Sequence, residues 1–127
     1  MERFFWICLA GAFGTGARHL VNVWTAEKFG TAFPYGTLAV NVVGCFFVAL
    51  VMRLALHSST FSPEFRLALT TGFLGGLTTY SSFNYEMTAL FREGTRVTAV
   101  FYGGTTVASC VVAGLLGLAL AERLASA

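Results

Sequence analysis

Apolar residues fill four long blocks of the chain, and polar or charged residues separate these blocks only briefly. Three of the blocks carry no charged residue and cover residues 29–52, 67–85 and 97–121. The block at residues 4–26 is also apolar but contains Arg18. Because a helix of roughly 20 residues crosses the hydrocarbon core of a bilayer, the pattern predicts four membrane-spanning helices.

Short connections join the four predicted helices. They lie near residues 27–36, 57–64 and 92–96. Pro34 and Pro63 stand just before the second and third helices, where proline is tolerated. Because no linker or low-complexity region divides the chain, we predict an all-α fold in which residues 1–127 form a single four-helix membrane domain.

Composition supports an integral membrane protein. Hydrophobic residues make up 56% of the 127 residues and charged residues only 11%, whereas soluble domains carry about 25% charged residues. The net charge of +2, without a basic cluster, gives no case for a nucleic-acid partner. A cleaved signal peptide would also show Arg3 before an apolar stretch, but Glu2 weakens its positive n-region, so a first membrane span is preferred.

The three cysteines of the chain, Cys8, Cys45 and Cys110, all fall inside predicted spans. An odd number of cysteines at such positions does not suggest a disulfide framework or a metal site. We interpret them as small, buried apolar residues.

Lysine and arginine are shared almost evenly between the two ends of the predicted helices. The N-terminal side of the membrane receives Arg3, Arg53, Arg66 and Arg123, and the opposite side receives Lys28, Arg92 and Arg96. The tally is 4 against 3, or 4 against 4 if Arg18 is counted with the second side. Because an excess of these residues fixes orientation, the balance favours insertion in both orientations, although other signals could fix one. Four short helices hardly enclose a polar pathway, so self-association is also expected.

Two polar residues interrupt the first and second blocks. Asn41 lies in the middle of the second predicted span, and Arg18 lies in the second half of the first. Polar residues within a span are functional candidates by default, but each also has a plainer interpretation. Asn41 either bonds a neighbouring helix or donates to a permeating anion. Arg18 either extends its charge to the membrane interface or attracts anions.

The third block contains the stretch "GFLGGLTTYSSFNYE" at residues 72–86. Gly72, Gly75 and Gly76 weaken a helix by about 1 kcal/mol each relative to alanine, and the hydroxyl residues that follow compete for backbone hydrogen bonds. We therefore expect a break near residues 75–79 followed by a second half-helix; the alternative is an intact helix with a glycine-rich packing surface. At a break inside a bilayer, free carbonyls can coordinate a cation and a half-helix N-terminus can face an anion.

Aromatic and hydroxyl side chains accompany this stretch and the fourth span. Tyr80 and Phe83 stand three residues apart and offer ring edges of positive character, although core packing is the commoner reason for such spacing. Tyr102, Thr106 and Ser109 share one face of the fourth helix, although a helical hydroxyl often bonds only to its own backbone. Together these side chains make a lining that is compatible with an anion.

Three segments carry a resemblance to a known family. "GTGARH" (14–19), "YGTLAVNVVG" (35–44) and "TGFLGGLTTYSSFNYE" (71–86) resemble, in order and spacing, the Fluc/CrcB family of fluoride channels, and the resemblance covers nearly the whole chain. It implies a dual-topology, antiparallel homodimer in the bacterial inner membrane. It also implies two separate pathways by which fluoride leaves the cytoplasm passively.

The resemblance further implies roles for particular residues. The backbone carbonyls of Gly75 and Thr78 of both subunits would hold one structural sodium ion at the centre of the dimer. Arg18 matches the arginine of an aqueous vestibule, and Glu86 matches a glutamate to which we assign no role. The implied anion pathway comprises Asn41, Thr79, Tyr80, Ser81, Ser82, Phe83, Tyr102 and Thr106.

The chain departs from the family pattern at three positions. Tyr80 stands where phenylalanine is most common, Asn84 replaces a common serine, and Cys110 occupies a position where serine is expected. We expect these departures to change the conduction rate rather than the kind of protein.

The predicted function is therefore that of a fluoride-selective ion channel in the plasma membrane. No nucleophile–base pair, metal-ligand cluster or phosphate loop occurs, so we expect that the protein is not an enzyme. The predicted partners are fluoride, the lipid bilayer and a second copy of the chain. The alternatives are a proton-coupled small multidrug exporter, which would need a carboxylate in the first span, a fluoride/proton antiporter in which Glu86 titrates, and an assembly subunit without transport activity.

Overall fold

The computed structural model describes residues 1–57 and 61–126, and the regular structure of these residues is helical throughout. In chain order the elements are α1 (Glu2–Phe29), α2 (Tyr35–His57), α3 (Pro63–Leu67), a π-helical segment (Ala68–Leu74), α4 (Gly75–Leu77), α5 (Tyr80–Arg92) and α6 (Arg96–Ser126). Part of the predicted connection at residues 57–64, and residue 127, lie outside the described residues.

Three of these helices are long and apolar enough to cross a membrane by themselves. They are α1, residues Tyr35–Leu56 of α2, and α6. The third predicted span has a different construction, because α3, the π-helical segment and α4 follow one another without a gap, and α5 begins only after two non-helical residues. The predicted all-α membrane fold is confirmed in class, and the segment predicted as the third span consists of several helical pieces.

Local sequence explains where several of the helices begin and end. Pro63 opens α3, and the Ser62 hydroxyl accepts a hydrogen bond from the Phe65 amide at 3.2 Å, which satisfies one of the free amides of the first turn. Gly30 after α1 and Gly94 after α5 adopt φ values of 80° and 82°. Only glycine takes this conformation at little cost, so both positions end a helix sharply.

The glycines of the third span bring its backbone into contact with α1. A Cβ on Gly76 would lie 2.5 Å from the Gly11 carbonyl oxygen, and a Cβ on Gly14 would overlap the Phe73 carbonyl oxygen. Such backbone-to-backbone contact is how small residues hold helices together when lipid supplies no hydrophobic driving force. Glycine-rich packing, the alternative to a helix break, is therefore present next to the interruption.

Two ion pairs gather four helix ends at one end of the molecule. Arg3 at the start of α1 pairs with Glu64 of α3 at 2.6 Å, and Arg53 of α2 pairs with Glu122 of α6 at 3.4 Å. Exposed pairs of this kind contribute only about 0–1 kcal/mol each. Their value here is geometric, because each pair joins the ends of two helices.

Candidate functional site

The helical conformation of the third span stops at Thr78 and Thr79. Both residues have extended backbones, with φ and ψ of −84° and 154° at Thr78 and −156° and 115° at Thr79. The Thr79 hydroxyl then accepts the Ser82 amide hydrogen at 3.2 Å and caps α5. The interruption thus lies after Gly75 and Gly76, which are themselves helical.

Asn41 of α2 holds the interruption with two hydrogen bonds. Its Oδ1 accepts the Thr79 amide hydrogen at 2.8 Å, and its Nδ2 donates to the Thr79 carbonyl oxygen at 3.1 Å. Both residues are buried. An Asn side chain therefore replaces the helical partners that the Thr79 backbone lacks, and one hydrogen of Nδ2 remains to donate elsewhere.

The hydrogen bonds of the Thr79 and Ser82 amides leave the carbonyl oxygens of Gly75 and Thr78 without their usual helical donors. In a continuous helix these carbonyls would accept from the amides of Thr79 and Ser82. Those amides donate instead to Asn41 Oδ1 and to Thr79 Oγ1. The Gly75 carbonyl also lies in the last turn of the helical run at residues 63–77, where the macrodipole is negative. Oxygen ligands of this kind suit a hard cation.

The two aromatic residues predicted for the site occupy different environments. Phe83 is buried, with its ring centroid 5.3 Å from that of Tyr102 and 5.7 Å from that of Tyr80. Phe33 packs edge-on against the other side of Tyr102 at 5.3 Å. Tyr80, by contrast, is 78% exposed. Phe83 and Tyr102 therefore belong to the interior of the chain, and Tyr80 lies on its surface.

A cavity of about 380 Å³ lies between the interruption and α6. Thr106 is buried in its wall, and within the described residues the Thr106 hydroxyl oxygen has no hydrogen-bond partner. A buried hydroxyl without a partner costs about 1–3 kcal/mol, so its position beside a cavity indicates a place for a ligand. The lining comprises Asn41, Cys45, Thr78, Thr79, Tyr80, Phe83, Thr106, Val107, Cys110 and Val111.

The remaining predicted residues are not part of the wall of this cavity. The hydroxyls of Ser81 and Ser82 lie 3.2 Å and 3.1 Å from Thr79 Oγ1, and Ser81 is exposed. Arg18 is half-buried on α1 and does not line the cavity. The hydroxyl of Ser109, which shares a helix face with Thr106, donates back to the Thr105 carbonyl at 2.6 Å.

A second polar cluster was not predicted from the sequence. The two oxygens of the Glu86 carboxylate each accept a hydrogen bond of 2.7 Å, one from the Thr37 hydroxyl and one from the Tyr102 hydroxyl. Thr37 and Tyr102 are almost completely buried. The sequence signal that could have pointed to this cluster is the spacing of Thr37 and Asn41. Residues four apart share one face of a helix, so Thr37 lies on the same face as a residue predicted for the site.

Fold and site together define a multi-pass helical membrane protein whose buried polar groups surround a cavity. Residues 5–118 match the family model described as "CrcB-like protein, Camphor Resistance (CrcB)". The chain belongs to this family, as the motifs of the three quoted segments indicated.

The relatives agree with the family match over nearly their whole length. The chain is 45% identical to a Sorangium cellulosum protein over 124 residues, which are 98% of each chain. It is 46% identical to a protein of Anaeromyxobacter sp. (strain K) over 98% of this chain and 99% of the relative. Both relatives are named "Fluoride-specific ion channel FluC". A channel is a transport protein and not an enzyme, so the prediction of a non-enzymatic bacterial membrane protein is confirmed.

Proposed function

We propose that the chain is a fluoride-selective ion channel that exports fluoride from the cytoplasm by passive electrodiffusion. The observation that carries this proposal is the Thr106 hydroxyl, which is buried, forms no hydrogen bond with the described residues, and belongs to a residue in the wall of a cavity next to Phe83 and Asn41. Fluoride is small and strongly hydrated, so a selective path must replace its water with close hydrogen-bond donors. The names of the relatives support the same ion.

The proposed pathway offers donors and ring edges without a basic side chain in the cavity wall. Binding in a conducting path must be weak enough for release, and the lining contains neither lysine nor arginine. Asn41 keeps one amide hydrogen for the ion, and Phe83 offers the positive edge of its ring. The other proposed members are Thr79, Tyr80, Ser81, Ser82, Tyr102 and Thr106, with Arg18 at the vestibule.

We propose further that two copies assemble as an antiparallel homodimer with two pathways. Tyr80 lines the cavity yet is 78% exposed, so this chain alone does not close the pathway from lipid. A second copy that covers Tyr80 and Ser81 would complete the wall. The nearly even distribution of lysine and arginine is compatible with copies in both orientations.

A structural sodium ion at the centre of this dimer completes the proposal. The carbonyl oxygens of Gly75 and Thr78 fit this ion, because the amides that would ordinarily bind them donate to Asn41 and to the Thr79 hydroxyl. Two such carbonyls from each copy would give four oxygen ligands to one hard cation. These residues would hold the ion as a fixed part of the assembly.

Fluoride efflux from liposomes tests the function and the pathway together. Purified protein in vesicles loaded with potassium fluoride should release fluoride rapidly after valinomycin is added, with little chloride release from matched vesicles. Thr106→Val removes the hydroxyl at nearly constant volume and should slow fluoride efflux by roughly 10- to 100-fold, because a hydrogen bond to an ion contributes about 1.5–3 kcal/mol. Thr106→Ser keeps the hydroxyl and should conduct much faster than Thr106→Val.

The same assay separates the competing functions. Fluoride release that needs no valinomycin would favour fluoride/proton antiport, and equal chloride release would contradict selectivity. A proton-coupled multidrug exporter is not favoured, because the acidic residues of α1 are Glu2 and Glu27 at its two ends. Wild-type flux in Thr106→Val would remove the observation on which the pathway rests.

The sodium site predicts a specific salt dependence of stability. A ligand that binds only the folded state at 100 times its dissociation constant stabilises it by about 2.7 kcal/mol. The thermal unfolding midpoint in detergent should therefore rise with sodium chloride and change little with N-methyl-D-glucamine chloride at the same ionic strength. Identical midpoints in the two salts would count against a bound sodium ion and would leave the fluoride pathway untouched.

A further inference from the structure

The structure places two of the three cysteines in the wall of the same cavity. Cys45 of α2 and Cys110 of α6 both line the cavity at the interruption. Their helices approach closely at this level, since a Cβ on Gly114 would lie 3.9 Å from the Cys45 carbonyl oxygen. Cys8, on α1, is exposed and does not line this cavity. The interpretation of all three cysteines as small, buried apolar residues is therefore wrong for Cys8, and Cys45 and Cys110 are half-buried.

The surroundings of the two thiols favour a particular class of metal ion. Zinc in proteins prefers four nitrogen, sulfur or carboxylate ligands, and no cluster of three or more His, Cys, Asp or Glu side chains occurs in the described residues. The other polar groups of the cavity wall are hydroxyls and an amide, which soft cations bind poorly. Two thiolates without further strong ligands suit a soft cation with linear, two-ligand coordination.

We propose that Cys45 and Cys110 together bind one mercuric ion, or another soft divalent cation of linear preference, in the wall of this cavity. Each thiol loses its proton to water, and two sulfur–mercury bonds form, so the two negative sulfurs neutralise the divalent charge. If the sulfur–metal bonds are about as long as zinc–thiolate bonds, roughly 2.3 Å, linear coordination places the two sulfurs roughly 4.6 Å apart. A neutral complex avoids the cost of a net charge in an apolar setting, which disfavours monovalent soft cations at the same site.

The bound ion would also obstruct the proposed fluoride path. Cys45 and Cys110 share the cavity wall with Asn41, Thr79 and Thr106, so a bridging ion would occupy space beside the proposed donors. This part of the inference rests on the proposed function, whereas the binding of the ion does not.

The binding experiment uses full-length Cys8→Ala protein, so that the exposed thiol does not contribute. Mercuric chloride is titrated in the presence of excess 2-mercaptoethanol, which competes with any site of one thiol, and the thiolate-to-mercury charge-transfer absorption is recorded. We expect saturation at one ion per chain and simultaneous protection of both remaining thiols from a maleimide. Cys45→Ala or Cys110→Ala in this background should weaken binding at least on the order of 100-fold, because loss of a supporting group alone costs 10–100-fold.

Two results of this titration would overturn the site. One is equal affinity in the single-thiol variants and the two-thiol protein, and the other is binding of one ion per thiol. Because an alanine variant can lose its fold, Cys45→Ser and Cys110→Ser are titrated in parallel, and each should show the same loss of binding. Wild-type affinity in a folded serine variant would also contradict the proposal.

Fluoride efflux gives the second arm of the test. Mercuric chloride should slow efflux at least tenfold in Cys8→Ala liposomes and leave the Cys8→Ala, Cys45→Ser, Cys110→Ser variant unaffected, and a dithiol should restore the rate. Binding without any effect on efflux would refute the obstruction and retain the ion site. If the protein carried no fluoride at all, the proposed function would fail while the titration still decided whether the two thiols bind the ion.

Discussion

Asn41→Leu should reduce fluoride efflux by on the order of 100-fold or more and lower the stability of the folded protein. Leucine has a similar volume but removes both hydrogen bonds to Thr79. A buried backbone group left without a partner costs about 1–3 kcal/mol, and here an amide and a carbonyl are affected. The freed Thr79 amide could then return to the Gly75 carbonyl and extend the helix through the interruption. That change would remove a proposed sodium ligand and redirect α5.

A comparison with Asn41→Asp separates this holding role from a role in anion binding alone. The aspartate carboxylate still accepts the Thr79 amide hydrogen, but it repels an anion when it is ionised. If Asn41 holds the interruption, the thermal unfolding midpoint should fall in both variants, because leucine makes neither bond to Thr79 and an ionised aspartate cannot donate to the Thr79 carbonyl and buries a charge. If Asn41 served only as a donor to the anion, leucine would be at least as stable as wild type. An unchanged or raised midpoint for Asn41→Leu would therefore contradict the holding role.

Gly14→Ala should prevent normal packing of the third span. The added Cβ would overlap the Phe73 carbonyl oxygen and approach the Leu77 amide nitrogen at 3.0 Å, and both of these are backbone atoms that cannot rotate away. Overpacking in a core typically costs about 1–3 kcal/mol, and occasionally more. We expect loss of a single symmetrical peak in size-exclusion chromatography, or a clearly lower unfolding midpoint in the fraction that folds.

Gly16→Ala is the matched control, two residues along the same helix. Within the part of the chain that the structure describes, a Cβ at Gly16 meets no atom within 4 Å beyond the adjacent backbone of its own helix, and alanine is favoured over glycine in a helix by about 1 kcal/mol. The folded chain should therefore tolerate Gly16→Ala or gain stability from it. Equal behaviour of the two variants would show that the close approach of α1 to the π-helical segment does not determine packing.

The helical class and the membrane spans could be predicted because a bilayer permits few solutions. Backbone groups in lipid must be satisfied within the element, so hydropathy alone locates the helices. The coincidence of Gly75 with Thr78 and Thr79 also pointed to the neighbourhood of the interruption. Sequence alone did not show that the glycines would stay helical and pack against α1, because glycine is found both at helix breaks and at close contacts between helices.

Contacts between distant residues could not be read from local pattern. Asn41 and Thr79 are 38 positions apart, and their pairing depends on how α2 packs against the third span. The hydrogen bonds of Glu86 with Thr37 and Tyr102 have the same origin, since three different helices contribute to them. The presence of Cys45 and Cys110 in one cavity wall likewise follows from the contact of α2 with α6. No spacing along the chain indicates it.

The π-helical segment Ala68–Leu74 determines how the third span responds to the loss of a residue. Each amide of a π-helix bonds one residue further back than in an α-helix, so the segment accommodates extra chain within the same rise. Deletion of a single residue here would let the segment return to α-helical geometry and leave the residues that follow in nearly the same orientation. Gly76 would keep its contact with Gly11, and Thr79 its hydrogen bonds with Asn41. This segment should therefore tolerate the loss of one residue better than a regular α-helix, in which the same loss would rotate all that follows by about 100°.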